Sequence, residues 1–354
     1  MNENIGFKKR KKVFTALAIL CVIALCVGLY CVNMQKKRYA LASFAMSTIV
    51  DQKAYGPHAK KAMQAVEQAF AKFEAEFSLY QTQSDIAKIN AAAGGEAVAV
   101  KPETFALLKR AKELSSESEN AFAVTLAPLS LAWGVTTEHP QVLTQTQIDA
   151  LLPLVNDADI LLDETAGTVK LAKKGQAIDL GGIAKGTACT LAENLYTQYG
   201  VKSALLSIGG NIYAKGTKPD GSLYRIGFRD PLTTDTQASI ASITMQDEVL
   251  AVSGGYERFF EKDGVRYHHI LDPKTGVPAN SDIVSVGVID KDGTVADFYS
   301  TTLFVWGKER ALQYFRDGGR GMLLDNEKNL YVSKDLQDSF ELVESAGGYT
   351  VVFI

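Results

Sequence analysis

The folded part of this sequence has almost no cysteine. Cys21, Cys26 and Cys31 fall in one apolar run, and only Cys189 lies beyond it. An internal disulfide and a cysteine-based metal cluster are therefore excluded there. Charge of one sign is not in excess either: 37 Lys and Arg against 40 Asp and Glu give a net charge of -3. Nucleic acid is consequently not an expected partner.

Proline is scarce at 9 residues, and 47% of the 354 residues are hydrophobic. This composition excludes collagen-like and disordered classes and is typical of a folded protein. The length allows one large domain or two small ones.

One long hydrophobic run lies near the N-terminus. Val13 to Val32 carry no charge, and this run is long enough as a helix to match the roughly 30 Å hydrocarbon core of a bilayer. Basic residues at 8–12 precede it and a smaller basic cluster at 36–38 follows, so the positive-inside rule favours a cytoplasmic tail. The predicted organisation is a basic tail (1–12), a transmembrane anchor (13–32), a linker (33–42) and an extracytoplasmic catalytic domain (43–354).

A cleaved signal peptide is the alternative interpretation of this run. Ala40, Leu41 and Ala42 imitate a cleavage site. However, the run is too long for the core of a signal peptide, and a basic cluster separates it from that site. Both features favour an uncleaved, single-pass anchor in the cell membrane.

Helical and strand-like patterns share the rest of the chain. Helical spacing predicts a helix from His58 to Phe77, and Pro102 begins a second that runs toward Leu114. Further helices are predicted at Thr187–Tyr199 and Ala296–Phe304, and strands at Thr168–Ala172, Ser203–Ile208, Tyr224–Phe228, Ser239–Thr244, Val249–Ser253, Arg266–Leu271, Ile283–Ile289, Gly321–Leu324, Leu330–Ser333 and Tyr349–Ile354. The pattern predicts a mixed α+β domain.

The most informative segment is AIDLGGIAKG, residues 177–186. A short strand, an acidic residue, a glycine pair and a lysine at a helix start would leave backbone N–H groups at the positive end of a helix, which suits a phosphate. Asp179 and Lys185 would flank that phosphate. The spacing is neither Walker A nor GxGxxG, so a tight glycine turn with a surface lysine explains this segment slightly better when it is taken alone.

Two further clusters contain glycine pairs. Residues 207–212, SIGGNI, close a strand, and a plain turn is the simpler interpretation of their glycines. SGGYERFF (253–260) leads to a strand that ends in two adjacent histidines, of which only one can face a given site. A general base is favoured over a zinc ligand, because too few further ligands are nearby, and a buried structural histidine is a close alternative.

A fourth cluster combines a carboxylate with hydroxyl groups. Asp297, Ser300 and Thr301 lie at i, i+3 and i+4, so a helix would present their oxygens on one face. Such oxygens suit a hard cation such as Mg²⁺. Helix capping by Asp297 is the ordinary alternative.

These four clusters, in this order, resemble the ApbE family of FAD:protein FMN transferases, also called flavin transferases. The matching segments are FAMST (44–48), FSLY (77–80), Ser84-Asp85, Asn90, AFAVTLAPLSLAWG (121–134), AIDLGGIAKG (177–186), LLSIGGNIYAKG (205–216), AVSGGYERFF (251–260), YHHILDPKTG (267–276) and VADFYSTTLFVWG (295–307). They cover nearly the whole chain after the anchor. The ordered set is far more specific than any one segment, so it favours the functional interpretation of each.

The resemblance implies a single mixed α/β catalytic domain that takes FAD as its substrate, with Mg²⁺ on the pyrophosphate. Residues expected to contact FAD are Met46, Tyr80, Ala121, Phe122, Ala123, Asp179, Lys185 and Ile270. Those expected to hold the metal are Asp297, Ser300, Thr301 and a backbone oxygen at Gly182. His269 would be the catalytic histidine.

The implied reaction transfers FMN to a Thr or Ser hydroxyl of an acceptor protein and releases AMP. The acceptor would carry the motif D-x-x-[ST]-G-A-[ST] and would be a membrane-associated redox protein. A tethered enzyme suits such acceptors, because tethering raises the effective concentration at the membrane.

The chain departs from the family pattern at five positions. Ser47 stands where glycine is usual in Met-Gly-Thr, and Ala123 where aspartate is usual in Phe-Asp-x-Thr. Thr187 and Thr190 replace a tyrosine and an aspartate after Ala-Lys-Gly, and Gly255 replaces a polar residue. The first two adjoin the expected flavin pocket, where they bear on affinity more than on reaction type.

Two other functions use the same residues. An FAD pyrophosphatase would use water in place of the acceptor hydroxyl, and the sequence does not separate it from a transferase. A membrane-tethered flavin-binding protein without turnover is the second alternative. The Asp297 and Thr301 pair disfavours it, because a passive flavin binder has little use for a cation on the pyrophosphate.

Overall fold

The computed structural model describes residues 3–233, 235, 238–343 and 347–354. Its α-helices are α1 (Glu3–Gln35), α2 (Ala59–Phe77), α3 (Asp85–Ala91), α4 (Pro102–Glu117), α5 (Ala127–Trp133), α6 (Gln145–Leu151), α7 (Ala184–Gln198), α8 (Gly293–Trp306) and α9 (Lys308–Arg316). Its strands are β1 (Arg38–Ala45), β2 (Thr48–Tyr55), β3 (Val98–Ala99), β4 (Ile160–Asp163), β5 (Thr168–Leu171), β6 (Ser203–Ile208), β7 (Asn211–Lys215), β8 (Tyr224–Arg229), β9 (Ser239–Met245), β10 (Glu248–Gly254), β11 (Phe259–Lys262), β12 (Val265–His268), β13 (Ile283–Asp290), β14 (Gly321–Asp325), β15 (Asn329–Val332), β16 (Phe340–Leu342) and β17 (Thr350–Phe353).

A nine-stranded sheet in the order β1-β2-β6-β7-β10-β13-β14-β15-β17 forms the centre of the domain. All its pairs are antiparallel except β15 with β17. Alternate residues of β10 face opposite layers: Val249 and Ala251 pack in a cluster with α2 and α7, and Leu250 packs with the β16-β9-β8 sheet. Helices on one face and a small sheet on the other give the mixed α+β architecture that the sequence predicts.

Helix α2 confirms the first predicted helix. Ala62, Met63, Val66, Phe70 and Phe73 are buried at helical spacing. This stripe packs the helix against the sheet, so the helix is a structural element of the core.

Helices α7 and α8 touch backbone to backbone. A Cβ atom on Gly186 would lie 1.9 Å from the carbonyl oxygen of Gly293, and one on Gly293 would lie 2.2 Å from the carbonyl oxygen of Gly186. No side chain fits at either position. The close crossing brings the first turn of α7 against Asp297 of α8.

We expect Gly186→Ala to destabilise the fold, because the added methyl must push the two helices apart. The expected loss is about 3 kcal/mol in the free energy of unfolding, the upper end of overpacking costs. Chemical denaturation monitored by circular dichroism measures it. Gly347→Ala is the matched control, because nothing lies within 4 Å of a Cβ at that position. Equal stability of the two variants would contradict the close crossing.

The N-terminal region differs from the prediction in two ways. Helix α1 continues to Gln35, and β1 begins at Arg38, so only Lys36 and Lys37 separate helix from sheet. The predicted linker (33–42) is therefore wrong for most of its length: residues 38–42 pair with β2 in the nine-stranded sheet. Residues 1 and 2 of the predicted tail lie outside the described residues.

Within the described residues, one helix is long and apolar enough to cross a membrane. The candidate span is Leu17–Gln35, with a mean hydropathy of 2.5, and none of it is buried against the domain. A signal sequence near the N-terminus would have the same character.

Candidate active site

Two hairpin turns form the edge of the candidate site. The Met46-Ser47 turn joins β1 to β2, and the Gly209-Gly210 turn joins β6 to β7. All four residues have positive φ, with Ser47 at 57°. Because β2 pairs with β6, the two turns lie side by side. The left-handed backbone at Ser47 explains why glycine is usual at this position.

Residues 176–180, which precede the glycine pair, do not form the short strand that the sequence predicts. Asn90 brackets it through its amide: Nδ2 donates to the Ile178 carbonyl (3.0 Å) and Oδ1 accepts from the Ile178 N–H (2.7 Å). The Asp179 N–H donates to the Val124 carbonyl (2.8 Å). These hydrogen bonds hold Ile178 and Asp179 in position, as pairing with a neighbouring strand would in a sheet.

Of the predicted residues Ala121, Phe122 and Ala123, the structure shows Phe122 directly beside the glycine pair. A Cβ on Gly182 would lie 2.7 Å from Phe122 Cε2, so the aromatic ring occupies the space that a side chain would need. Asp179 Oδ1 accepts the Gly181 N–H (2.8 Å). Burial raises the pKa of Asp179, and the Gly181 N–H and the charge of Lys185 oppose the rise.

Asp297 joins the two helices of the site. Its Oδ2 accepts the N–H of Gly186 in the first turn of α7 (2.9 Å), and the Lys185 Nζ lies 3.7 Å from Oδ1. Asp297 is 2% exposed. Capping of α8 by Asp297 is wrong, because the N-cap is Asp292, whose Oδ1 accepts the Thr294 N–H. A buried carboxylate instead faces the positive end of α7.

The hydroxyl group of Ser253, in the SGGYERFF segment, lies close to those of Ser300 and Thr301 on α8. Ser253 Oγ lies 2.8 Å from Ser300 Oγ and 3.4 Å from Thr301 Oγ1. Ser300 is fully buried and also donates to the Asp297 carbonyl (2.9 Å). Thr301 is partly exposed. The structure thus brings the hydroxyl groups of Ser300 and Thr301 to Ser253, which the prediction did not include, whereas the Asp297 carboxylate faces Gly186 and Lys185 of α7.

His269 lies against the backbone of Arg258. Its N–H and its Nδ1 both approach the Arg258 carbonyl, at 3.0 and 3.2 Å. The carbonyl can only accept, so Nδ1 carries the proton and Nε2 keeps its lone pair. Burial, with the charges of Arg258 and Lys185, lowers the pKa of His269 to about 4. The imidazole is therefore neutral near pH 7, and its Nε2 carries a lone pair that can accept a proton.

His268 has a structural role. Its Nε2 is 3.1 Å from the Ala279 carbonyl, and its ring meets Phe304 edge-on. A Cβ on Gly255 would lie 2.8 Å from His268 Cδ2. The absence of a side chain at Gly255 therefore makes room for this histidine, which explains one departure from the family pattern.

The remaining residues that are predicted to contact the flavin differ in their exposure to solvent. Tyr80 is 66% exposed as a residue. Partial burial of its hydroxyl and the charge of Asp179 raise the pKa of Tyr80, and a hydrogen bond with Thr136 and the charge of Arg258 oppose the rise. Met46 is partly buried between two core clusters. Ile270 is buried in the core with α8, so only its backbone adjoins His269.

Two positioning residues were missed by the sequence reasoning. Asp157 accepts the N–H groups of Val124 and Thr125 and the Thr125 hydroxyl, at 2.9, 2.9 and 2.6 Å. It holds the segment next to Ala123, where the family's usual aspartate is absent. Arg258 donates from Nη2 to the Ser47 carbonyl (3.3 Å) and so links the hairpin turn to His269. Arg258 belongs to the SGGYERFF segment, whereas no sequence pattern marks Asp157.

The other two departures support the crossing of α7 and α8. Thr190 Oγ1 accepts the Gly293 N–H (3.0 Å), which is one of the free donors at the start of α8. Thr187 Oγ1 lies 3.0 Å from Thr294 Oγ1. Both threonines therefore bond across the helix junction.

Comparison with known proteins decides the family. The model of the ApbE family matches residues 46–323. The chain belongs to the ApbE family. ApbE relatives named FAD:protein FMN transferase include one from Klebsiella pneumoniae, 31% identical over 89% of this chain and 97% of the relative, and one from Treponema pallidum, 30% identical over 93% and 95%.

Solved ApbE structures have the same fold. The ApbE protein of Thermotoga maritima superposes with a TM-score of 0.75 at 30% identity, covering 87% of this chain and 98% of that one. The flavinyl transferase ApbE of Pseudomonas stutzeri gives 0.73 at 30% identity, covering 82% and 92%. The predicted family, fold class and assignment as an enzyme of this family are confirmed.

Proposed function

We propose that this protein transfers FMN from FAD to a Thr or Ser hydroxyl of an acceptor protein. The observation that carries the proposal is the junction of α7 and α8, where Lys185, a helix N-terminus and the Asp297 carboxylate meet beside the neutral His269. Two relatives that this chain matches over nearly their whole length are named for this activity, which supports the proposal.

His269 is the proposed general base. Nε2 takes the proton of the acceptor hydroxyl as its oxygen forms a bond to the FMN phosphorus. The P–O bond to the AMP phosphate breaks, and AMP leaves with the bonding electrons. Lys185 and Arg258 place positive charge near the phosphates, and the N–H groups of the first turn of α7 add to it.

The donor atoms around Asp297 fit a hard cation such as Mg²⁺. The Lys185 ammonium lies 3.7 Å from one carboxylate oxygen, and the partly exposed Thr301 carries a hydroxyl group. Among the described residues, no group of three or more His, Cys, Asp or Glu forms a metal site. We propose that Asp297, Thr301, Ser300 and the Gly182 carbonyl would hold Mg²⁺ beside the pyrophosphate. When bound, Mg²⁺ would neutralise charge on the breaking pyrophosphate.

We propose Met46, Tyr80, Ala121, Phe122, Ala123, Asp179 and Ile270 as the surroundings of the flavin nucleotide. Tyr80 offers an exposed aromatic ring, and Phe122 is fixed by an edge-on contact with Phe298 at 5.1 Å. We further propose that α1 anchors the enzyme with its domain outside the cytoplasm, near membrane-associated redox acceptors.

Mass spectrometry tests the transfer directly. The full chain is incubated with FAD, Mg²⁺ and a peptide that carries D-x-x-T-G-A-T. We expect the peptide to gain one FMN at the threonine, and a chelator to abolish the gain. AMP release without a modified peptide would indicate a pyrophosphatase, and unchanged FAD would indicate a binding protein.

The pH dependence of transfer should reflect the lowered pKa of His269. A base with a pKa of about 4 stays unprotonated down to that pH, whereas an ordinary histidine gains its proton near 6.5. We expect the acidic limb of kcat/KM, which reports the free enzyme, to be centred near pH 4. A limb centred near 6.5 would contradict the buried environment of His269.

A further inference from the structure

The first strands of the large sheet separate the candidate active site from the anchor. The turns at 46–47 and 209–210 lie at one end of β1, β2, β6 and β7. At the other end, Arg38 pairs with Tyr55, and Tyr55 pairs with Ser203. Helix α1 joins the domain there, where the Gly56 N–H donates to the Lys37 carbonyl (3.0 Å). The eight residues of β1 place the two ends about 25 Å apart.

A basic cavity lies between the end of α1 and the domain. Its volume is about 300 Å³. The cavity is lined by Gln35, Lys36, Tyr55, Lys202, Ser203, Thr217, Lys218 and Pro219. Three lysines and no acidic residue contribute to this lining. The space is sufficient for a phosphate group with its attached alcohol.

The lysines of this cavity form no close ion pair with an acid in the part of the chain that the structure describes, although, with the Ser222 hydrogen bonds, the charge of Lys218 helps to lower the pKa of Asp220. Among the described residues, Lys36, Lys202 and Lys218 form no ion pair. Asp220, the acid next to them in sequence, accepts from the Ser222 N–H and hydroxyl, at 2.9 and 2.7 Å. The lining of the cavity is thus positively charged where the candidate span ends, at Gln35.

We propose that this cavity binds the headgroup phosphates of anionic phospholipids. The inference rests on the proposed membrane anchor, which would bring Lys36 to the lipid headgroups, where Lys202 and Lys218 lie beside it. Bound lipid would hold this end of the domain on the bilayer. The candidate active site would then face away from the membrane, and an acceptor would have to present its hydroxyl about 25 Å above the surface.

Hydrogen exchange of the full chain in nanodiscs tests the proposal. One set of nanodiscs contains phosphatidylcholine alone, and the other also contains phosphatidylglycerol. We expect phosphatidylglycerol to slow amide exchange in residues 199–203 and 216–222. Lys202→Glu and Lys218→Glu should each reduce that protection at least about fivefold, because the loss of one lysine near an anionic surface costs about that factor and the added carboxylate repels the lipid.

Two exposed lysines outside the cavity serve as controls, because their substitution by glutamate changes the charge by the same amount. Lys174→Glu and Lys262→Glu should keep the full protection. Equal exchange in both lipids, or equal protection in all four variants, would overturn the proposal. Protection by inorganic phosphate in neutral nanodiscs would also overturn it, because the site would then not need lipid. A chain that does not associate with nanodiscs would overturn the anchor and the lipid site together, whereas loss of FMN transfer alone leaves the lipid site standing.

Discussion

His269→Gln should abolish most FMN transfer while the protein stays folded and still binds FAD. The glutamine amide can donate to the Arg258 carbonyl as Nδ1 does, at 3.2 Å in the native chain, but it cannot accept a proton near neutral pH. We expect a 10²- to 10⁴-fold loss, the usual contribution of a general base. Quantitative mass spectrometry of the acceptor peptide measures transfer, and flavin fluorescence measures binding.

His139→Gln is the matched control for this variant. His139 is exposed, and its substitution should leave transfer unchanged. His268→Gln separates the two adjacent histidines, since His268 packs against Phe304 and should affect stability more than chemistry. A fully active His269→Gln variant would show that His269 is not the base.

The order of the four clusters allowed much of the site to be predicted from the sequence. Helical spacing placed Asp297, Ser300 and Thr301 on one face. The structure shows Asp297 against the start of α7 and the two hydroxyl groups against Ser253 of β10. The glycines at 181–182 and 186 were visible in the sequence, but their physical reasons were not. Only the fold shows that Phe122 fills the space beside Gly182 and that a second helix touches Gly186.

The contacts that could not be predicted are those between distant parts of the chain. Asn90 supports Ile178 across 88 residues, and Asp157 supports Val124 across 33. Neither polar residue belongs to a local pattern that identifies its partner. The β1–β2 hairpin was missed because Ser47, rather than glycine, takes the left-handed turn position.

Local turn chemistry could have identified the hairpin of β11 and β12. The predicted strand Arg266–Leu271 is wrong beyond His268, where β12 ends. Asp263 and Gly264, both at positive φ, form the turn between β11 and β12. An Asp-Gly pair between β-rich runs is a strong hairpin signal, so the sequence did contain this information.

Asp297→Asn should remove the response of the enzyme to Mg²⁺ and reduce transfer at least about 100-fold, the scale expected when a main electrostatic contact in the reaction is lost. The asparagine oxygen can still accept the Gly186 N–H, so the junction of α7 and α8 should persist. The lost negative charge is the one beside Lys185 and the proposed cation. FMN transfer and AMP release, each titrated with Mg²⁺, measure the effect.

Asp292→Asn is the matched control, because it makes the same charge change at the start of the same helix. Asp292 caps α8 by accepting the Thr294 N–H at 2.9 Å, and asparagine is an equally good cap. We therefore expect unchanged stability and transfer. If both variants lost activity equally, the cause would be the general charge of this region; if Asp297→Asn kept full activity, the metal assignment would be wrong. Loss confined to Asp297→Asn, in a protein of native stability, assigns the cation to this carboxylate.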